Sequence, residues 1–152
     1  MEDRHLLTDV GLTLQHQELR SVYGVATERR PVPAREARLF DLAVVNGREN
    51  LGQAIVVRLL TPRGELSELA HPEYGSRLHE LIGRQNTETT RNLVKLFILE
   101  SLQTEPRVEE VIEVTVEPTQ GMRNSVTVRL RVRPVGSTEP LTVGPLALEL
   151  ER

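Results

Sequence analysis

The sequence predicts an α+β fold in which helices pack on one face of a small antiparallel sheet, and three patterns carry that reading. After Asn86 comes a helical run whose second half, Leu93 to Leu99, is apolar except at Lys95. Two alternating segments follow, Ile112-Val114-Val116 and Val126-Val128-Leu130-Val132, on either side of Gly121. A last alternation, Leu146-Leu148-Leu150, closes the chain.

Taken in order, the elements divide the 152 residues into an N-terminal segment, 1–38, and a main domain, 39–152. The N-terminal segment holds a short alternation at Val10-Gly11-Leu12-Thr13-Leu14 and a polar, proline-marked stretch at Arg29-Arg30-Pro31-Val32-Pro33. A strand followed by an extended arm, and a loosely ordered terminus, are both open readings of it. Leu39 to Val45 reads as a short strand, with a chain reversal at Asn46-Gly47.

Asn50, with Gln53 three residues on, reads as the capping box of an amphipathic helix. Its face is Leu51, Ala54, Ile55, Arg58 and Leu59, and Pro62 stops it near Thr61. Thr61-Pro62-Arg63-Gly64 has the residue order of a type I turn, and Gly75-Ser76 can cap a short helix from Arg77 to Ile82. The helix that begins at Asn86-Thr87 runs to about Thr104 and is the expected buried central helix.

Pro106 ends that helix, and the two alternating segments beyond it form a hairpin. Its apolar rows cover the helices while Glu113 and Glu117 face Arg129, Arg131 and Arg133 on the solvent side. After a break at Gly144-Pro145, Leu146, Leu148 and Leu150 alternate with Ala147, Glu149 and Glu151 as a C-terminal edge strand.

Composition excludes several chemistries. With no cysteine there is no disulfide, thiol nucleophile or thiolate-held metal. A net charge of -3 offers phosphate backbones no general attraction, and 3% aromatic residues leave few rings for stacking bases or sugars. The charged N-terminus opens no apolar run of spanning length, so a cytoplasmic protein without membrane insertion is expected. His5, His16, His71 and His79 form no metal-ligand spacing, and no phosphate-binding glycine loop is present, so no cofactor is implied.

From Asp41 to about Pro118 the text is specific: Asn50-Leu51-Gly52-Gln53-Ala54-Ile55, Arg58 to Leu66, His71-Pro72-Glu73-Tyr74-Gly75-Ser76-Arg77-Leu78, and Glu105-Pro106-Arg107 between helix and hairpin. In this order it resembles the gene 25-like family of baseplate proteins, also called GPW, which includes TssE of type VI secretion. The wording around Asn50 and His71 is similar to members from extracellular contractile injection systems of the antifeeding-prophage type. The long segment before Asp41 departs from the family pattern.

The resemblance implies a non-enzymatic structural subunit, made in the cytoplasm and built in several copies into an injection particle or phage tail. Its implied partners are baseplate wedge proteins, first-ring sheath subunits and the central hub or tube, with no nucleic acid among them. Glu105, Pro106 and Arg107 are its expected docking residues, because an extended chain puts Glu105 and Arg107 on one side with Pro106 fixing the backbone between them. An intramolecular ion pair locking helix to sheet is the competing reading. Leu146, Leu148 and Leu150 are expected to shape an edge that a sheath strand joins.

Some members of the family carry an old lysozyme label, so a baseplate-associated muramidase using Glu100 or Glu105 with Glu73 is the enzymatic alternative. A free-standing adaptor is a third. Particle type, copy number, wedge partner, target cell and the role of the N-terminal segment stay open on the sequence.

Overall fold

Short strands come first in the chain and long ones last, with two helices between them. The structure, a computed structural model, describes residues 6–14, 23–29 and 40–150. The proline-marked stretch from Arg30 to Pro33, Leu39, and the terminal Glu151 and Arg152 lie outside the described residues.

Among the described residues, six three-residue strands come first: β1 (Thr8–Val10), β2 (Leu12–Leu14), β3 (Tyr23–Val25), β4 (Thr27–Arg29), β5 (Phe40–Leu42) and β6 (Val44–Asn46). β1 pairs with β6, β2 with β3 and β4 with β5, all antiparallel. Three extended segments thus meet, each changing partner at one small residue. At the crossing Gly11 N–H donates to Ala43 O (2.7 Å), Ala43 N–H to Ala26 O (2.9 Å) and Ala26 N–H to Gly11 O (2.8 Å), so no backbone group is orphaned by the exchange. Packing is close there, since a Cβ on Gly11 would stand 3.3 Å from Ala43 O. The single strand expected to end at Val45 is therefore two strands broken at Ala43.

The helix α1 spans Gly47–Leu60, and its N-cap is Asn46, four residues before the expected Asn50. Asn50 is buried instead, its Nδ2 donating to Leu6 O at 3.0 Å. The Asn50-Gln53 pattern satisfies the definition of a capping box, but both amides are used to hold the N-terminal segment. Leu51, Ile55, Arg58 and Leu59 are buried as their spacing requires, and Thr61 ends the helix. The following turn is displaced by one residue from the expected one: Glu65 N–H donates to Pro62 O, which puts Gly64 third, with the positive φ (90°) of a type II turn.

The segment Leu78–Leu81 is a 3₁₀ turn, shorter than the helix expected over Arg77–Ile82. Thr87 caps α2 (Glu88–Leu102), its Oγ1 accepting from Thr90 N–H. Val94, Phe97, Ile98 and Leu102 are buried, whereas Leu96 is 55% exposed, so α2 is amphipathic where its apolar run suggested burial all round.

The sheet follows the order β7 (Val108–Pro118), β8 (Ser125–Pro134), β9 (Leu141–Glu149), all antiparallel. Val126, Val128, Leu130 and Val132 of central β8 are fully buried beneath the helices, each such burial contributing about 1.5–3 kcal/mol. Ile112 is 42% exposed because a bulge between Val111 and Glu113 leaves it outside the pairing register and turns it outward. The break expected at Gly144-Pro145 is likewise a bulge inside β9. Leu6, with no exposed surface, joins the same core as Leu51, Ile98 and Leu130. Among the described residues no helix is long and apolar enough to cross a membrane.

Candidate docking surface

The Glu105-Pro106-Arg107 triplet is a turn rather than an extended junction, because Val108 N–H donates to Glu105 O at 3.1 Å. This geometry swings the Arg107 side chain back onto Glu105. Arg107 Nε donates to Glu105 Oε1 at 2.6 Å and Nη2 to Oε2 at 3.3 Å, with the Arg107 backbone N–H on Oε1 as well. From α1, Arg58 Nη2 reaches the same Oε2 at 3.1 Å. The glutamate side chain is only 3% exposed and Arg58 7%, against 20% for Arg107.

Burial by itself raises the Glu105 carboxyl, but the hydrogen bonds from Arg107 and the charges of Arg107 and Arg58 together outweigh it and hold the group below the usual carboxylate range. Arg58 is further placed by a bond from Nη1 to Thr104 Oγ1 (2.8 Å) and by the Tyr74 ring, 4.4 Å from its guanidinium carbon. Its Nε is buried and has no hydrogen-bond partner among the described residues. Arg58, Thr104 and Tyr74 complete a site of which the sequence reading named only the triplet. An arginine on an otherwise apolar helix face is the signal the sequence offers for it.

A neighbouring surface network ties the 61–77 loop to α2. Arg63 pairs with Glu73 and Glu100, while Arg77 pairs with Glu80 at 2.9 Å and with Glu100 at 3.7 Å, its guanidinium lying 4.3 Å from the Phe97 ring centre. Arg77 donates to Glu80 and holds that carboxyl below its ordinary value, against the opposing effect of burial. The loop needs Gly75: a Cβ there would stand 2.4 Å from Thr61 O, at a φ of 106°. Ser76, expected as a cap, donates to Leu59 O (2.6 Å) and accepts from Leu78 N–H (3.3 Å).

The carboxylates considered for hydrolysis thus sit among guanidinium groups. Glu100 lies between Arg63 and Arg77, Glu73 on Arg63, and Glu105 between Arg58 and Arg107. At Glu105 these surroundings favour the ionised form, the reverse of what a general acid requires. Among the described residues no three His, Asp or Glu side chains converge as metal ligands.

On the far side of the domain, Leu146, Leu148 and Leu150 point into the core at 6%, 4% and 0% exposure. Their side chains anchor β9, so what this strand presents outward is backbone. Leu150 N–H donates to Asn124 O at 2.7 Å. With Leu150 facing β8, antiparallel alternation turns the Ala147 N–H away from it. Among the described residues β9 is paired with β8 alone. The triplet and the three leucines therefore belong to different regions, and no described contact joins them.

The family model for the contractile injection system sheath initiator matches residues 39–133. No curated protein sequence matches the chain. Among solved structures, the chain is similar to a crystal structure from Geobacter sulfurreducens whose protein bears the provisional name tail lysozyme. Identity is 23%, over 68% of this chain and 91% of that one, with a TM-score of 0.58. At this identity the likeness is one of fold.

Proposed function

Because the chain belongs to the sheath-initiator family of contractile injection systems, we propose that it acts as a non-catalytic baseplate subunit, docking to wedge components at the Glu105-Pro106-Arg107 turn and templating the first sheath ring along β9. The observation that carries the templating half is β9 itself, a strand whose leucines are spent on the core and whose outer backbone has no described partner strand. Such an edge accepts a further strand by main-chain hydrogen bonds.

At the other end, exposed Pro106 and part-exposed Arg107 form the contact, and Glu105 sets their geometry from below. Preorganisation of this kind lowers the entropy lost on docking. The non-catalytic reading is supported by the family and by the arginines around Glu73, Glu100 and Glu105. Implied partners are sheath and wedge subunits, with the hub or tube adjoining them in the assembled particle.

Placing proline at Ala147 tests the templating half, since the lost N–H points away from β8. Particles bearing Ala147→Pro should have baseplates without extended sheaths, while the isolated chain melts within a few degrees of wild type. Sheaths of normal length on that variant would dismiss the templating role. The docking half calls for Arg107→Ala, which should leave a folded chain that is not incorporated into baseplates; normal incorporation would dismiss it.

A further inference from the structure

Glycine inside a helix weakens it relative to alanine, so it is expected only where conformation or packing demands it. Gly52 lies inside α1, and neither demand applies. Its φ is not positive, and a Cβ built on it would have no heavy atom within 4 Å. What the missing side chain does is keep a groove open. About 380 Å³ in volume, this groove runs between α1 and the first half of β9, with Gly52, Gln53 and Val56 along the helix, Leu12 beside them, and Val143 and Pro145 opposite.

We propose that the groove seats an extended segment of a sheath subunit, lying along the Leu141–Leu146 part of β9 with one side chain over Gly52. This rests on β9 being the pairing edge and adds the side from which the incoming chain is held. One wall of the groove is that edge strand, which favours an extended occupant. The same helix face also already binds extended backbone: Gln53 Nε2 donates to Val10 O (2.9 Å), and its Oε1 accepts from Leu12 N–H (2.8 Å). The opposite wall is fixed before anything binds, because Arg48 donates to Glu139 O (3.1 Å), Pro140 O (2.6 Å) and Ser137 Oγ (3.1 Å) in the β8–β9 turn. A groove with rigid sides, open at a helix glycine, has the form of a slot for a strand carrying a modest apolar side chain.

The test uses the full chain as wild type, Gly52→Ala and Gly52→Leu, titrated with the purified sheath subunit of the same particle. Both variants should melt at or above the wild-type midpoint, the alanine about 2–4 °C higher. Affinity for the sheath subunit should fall several-fold with alanine and at least about tenfold with leucine. A leucine variant that melts normally and binds like wild type overturns the proposal, and if leucine prevents folding, a stable alanine variant of unchanged affinity does so. Ala147→Pro, run in parallel, separates the groove from the edge: loss of binding there, with none in the Gly52 variants, would remove the groove and keep the edge. A wild-type dimer in ultracentrifugation that Gly52→Leu dissolves, with sheath binding untouched, would assign the groove to a second copy of the chain and overturn the proposal too.

Discussion

Acidic and arginine side chains that meet at the Glu105 turn do something different from those that meet along the outer face of β7 and β8. On the sheet, Glu113 pairs with Arg131 and Glu117 with Arg129 at 3.7 Å, with about half of each side chain exposed or more. Pairs of this kind contribute little, because water solvates both charges whether or not they meet. At the turn, Glu105 and Arg58 are withdrawn from water, and each has become necessary to the other. Identical chemical groups thus form a solvated coating in one region and a structural joint in the other, and burial is what separates the cases.

Removing one partner from each region tests that contrast, and the largest effect belongs to the joint. Glu105→Ala leaves the Arg58 guanidinium buried without its counter-ion and should destabilise the chain by about 3–5 kcal/mol, read by denaturant titration. A loss below about 1 kcal/mol would mean that Arg58 finds water in the folded state. The contrast also has a pH signature. With its folded pKa lowered, Glu105 contributes stability that is fully present above the unfolded-state value, near 4.3, and is lost as pH falls through the folded value. Wild-type stability should therefore drop more steeply than that of Glu105→Gln as pH falls from about 5 toward 3, whereas equal slopes would show that the carboxylate is not favoured by folding.

A buried but neutral tie should fall between the two. In Asn50→Ala, the carbonyl of Leu6 loses its donor inside the core, at a cost of about 1–3 kcal/mol. Because Leu6 belongs to the N-terminal segment, hydrogen exchange around Leu7–Val10 should accelerate more than in α2, and uniform acceleration would argue against a local tie.

What the sequence disclosed follows the same division by range. Local periodicity located α2 and the three long strands, since each depends on neighbours two to four residues apart. Asn50 is deceptive for the corresponding reason: its partner is Leu6, and a capping motif is the nearest local pattern that uses the same residues. The crossing at Gly11, Ala26 and Ala43 left no local trace beyond small side chains. At the Glu105 turn, the triplet could be read from the chain, but Arg58 comes from 47 residues upstream, and only the packing of α1 beside the turn unites them.

The smallest effect is expected on the sheet. A double-mutant cycle on Glu113 and Arg131, each replaced by alanine, should give a coupling energy of about 0.2–1 kcal/mol that shrinks as salt is raised, because the Debye length falls to about 3 Å at 1 M. The same cycle on Glu105 and Arg107 should yield a larger coupling, less sensitive to salt, since only the arginine side is in contact with solvent. If Glu113 and Arg131 prove equally strong and equally resistant to salt, then burial is not what distinguishes the regions. The ladder, by pairing all three arginines of β8 with glutamates of β7, would then be holding the sheet's register as firmly as the turn holds its helix.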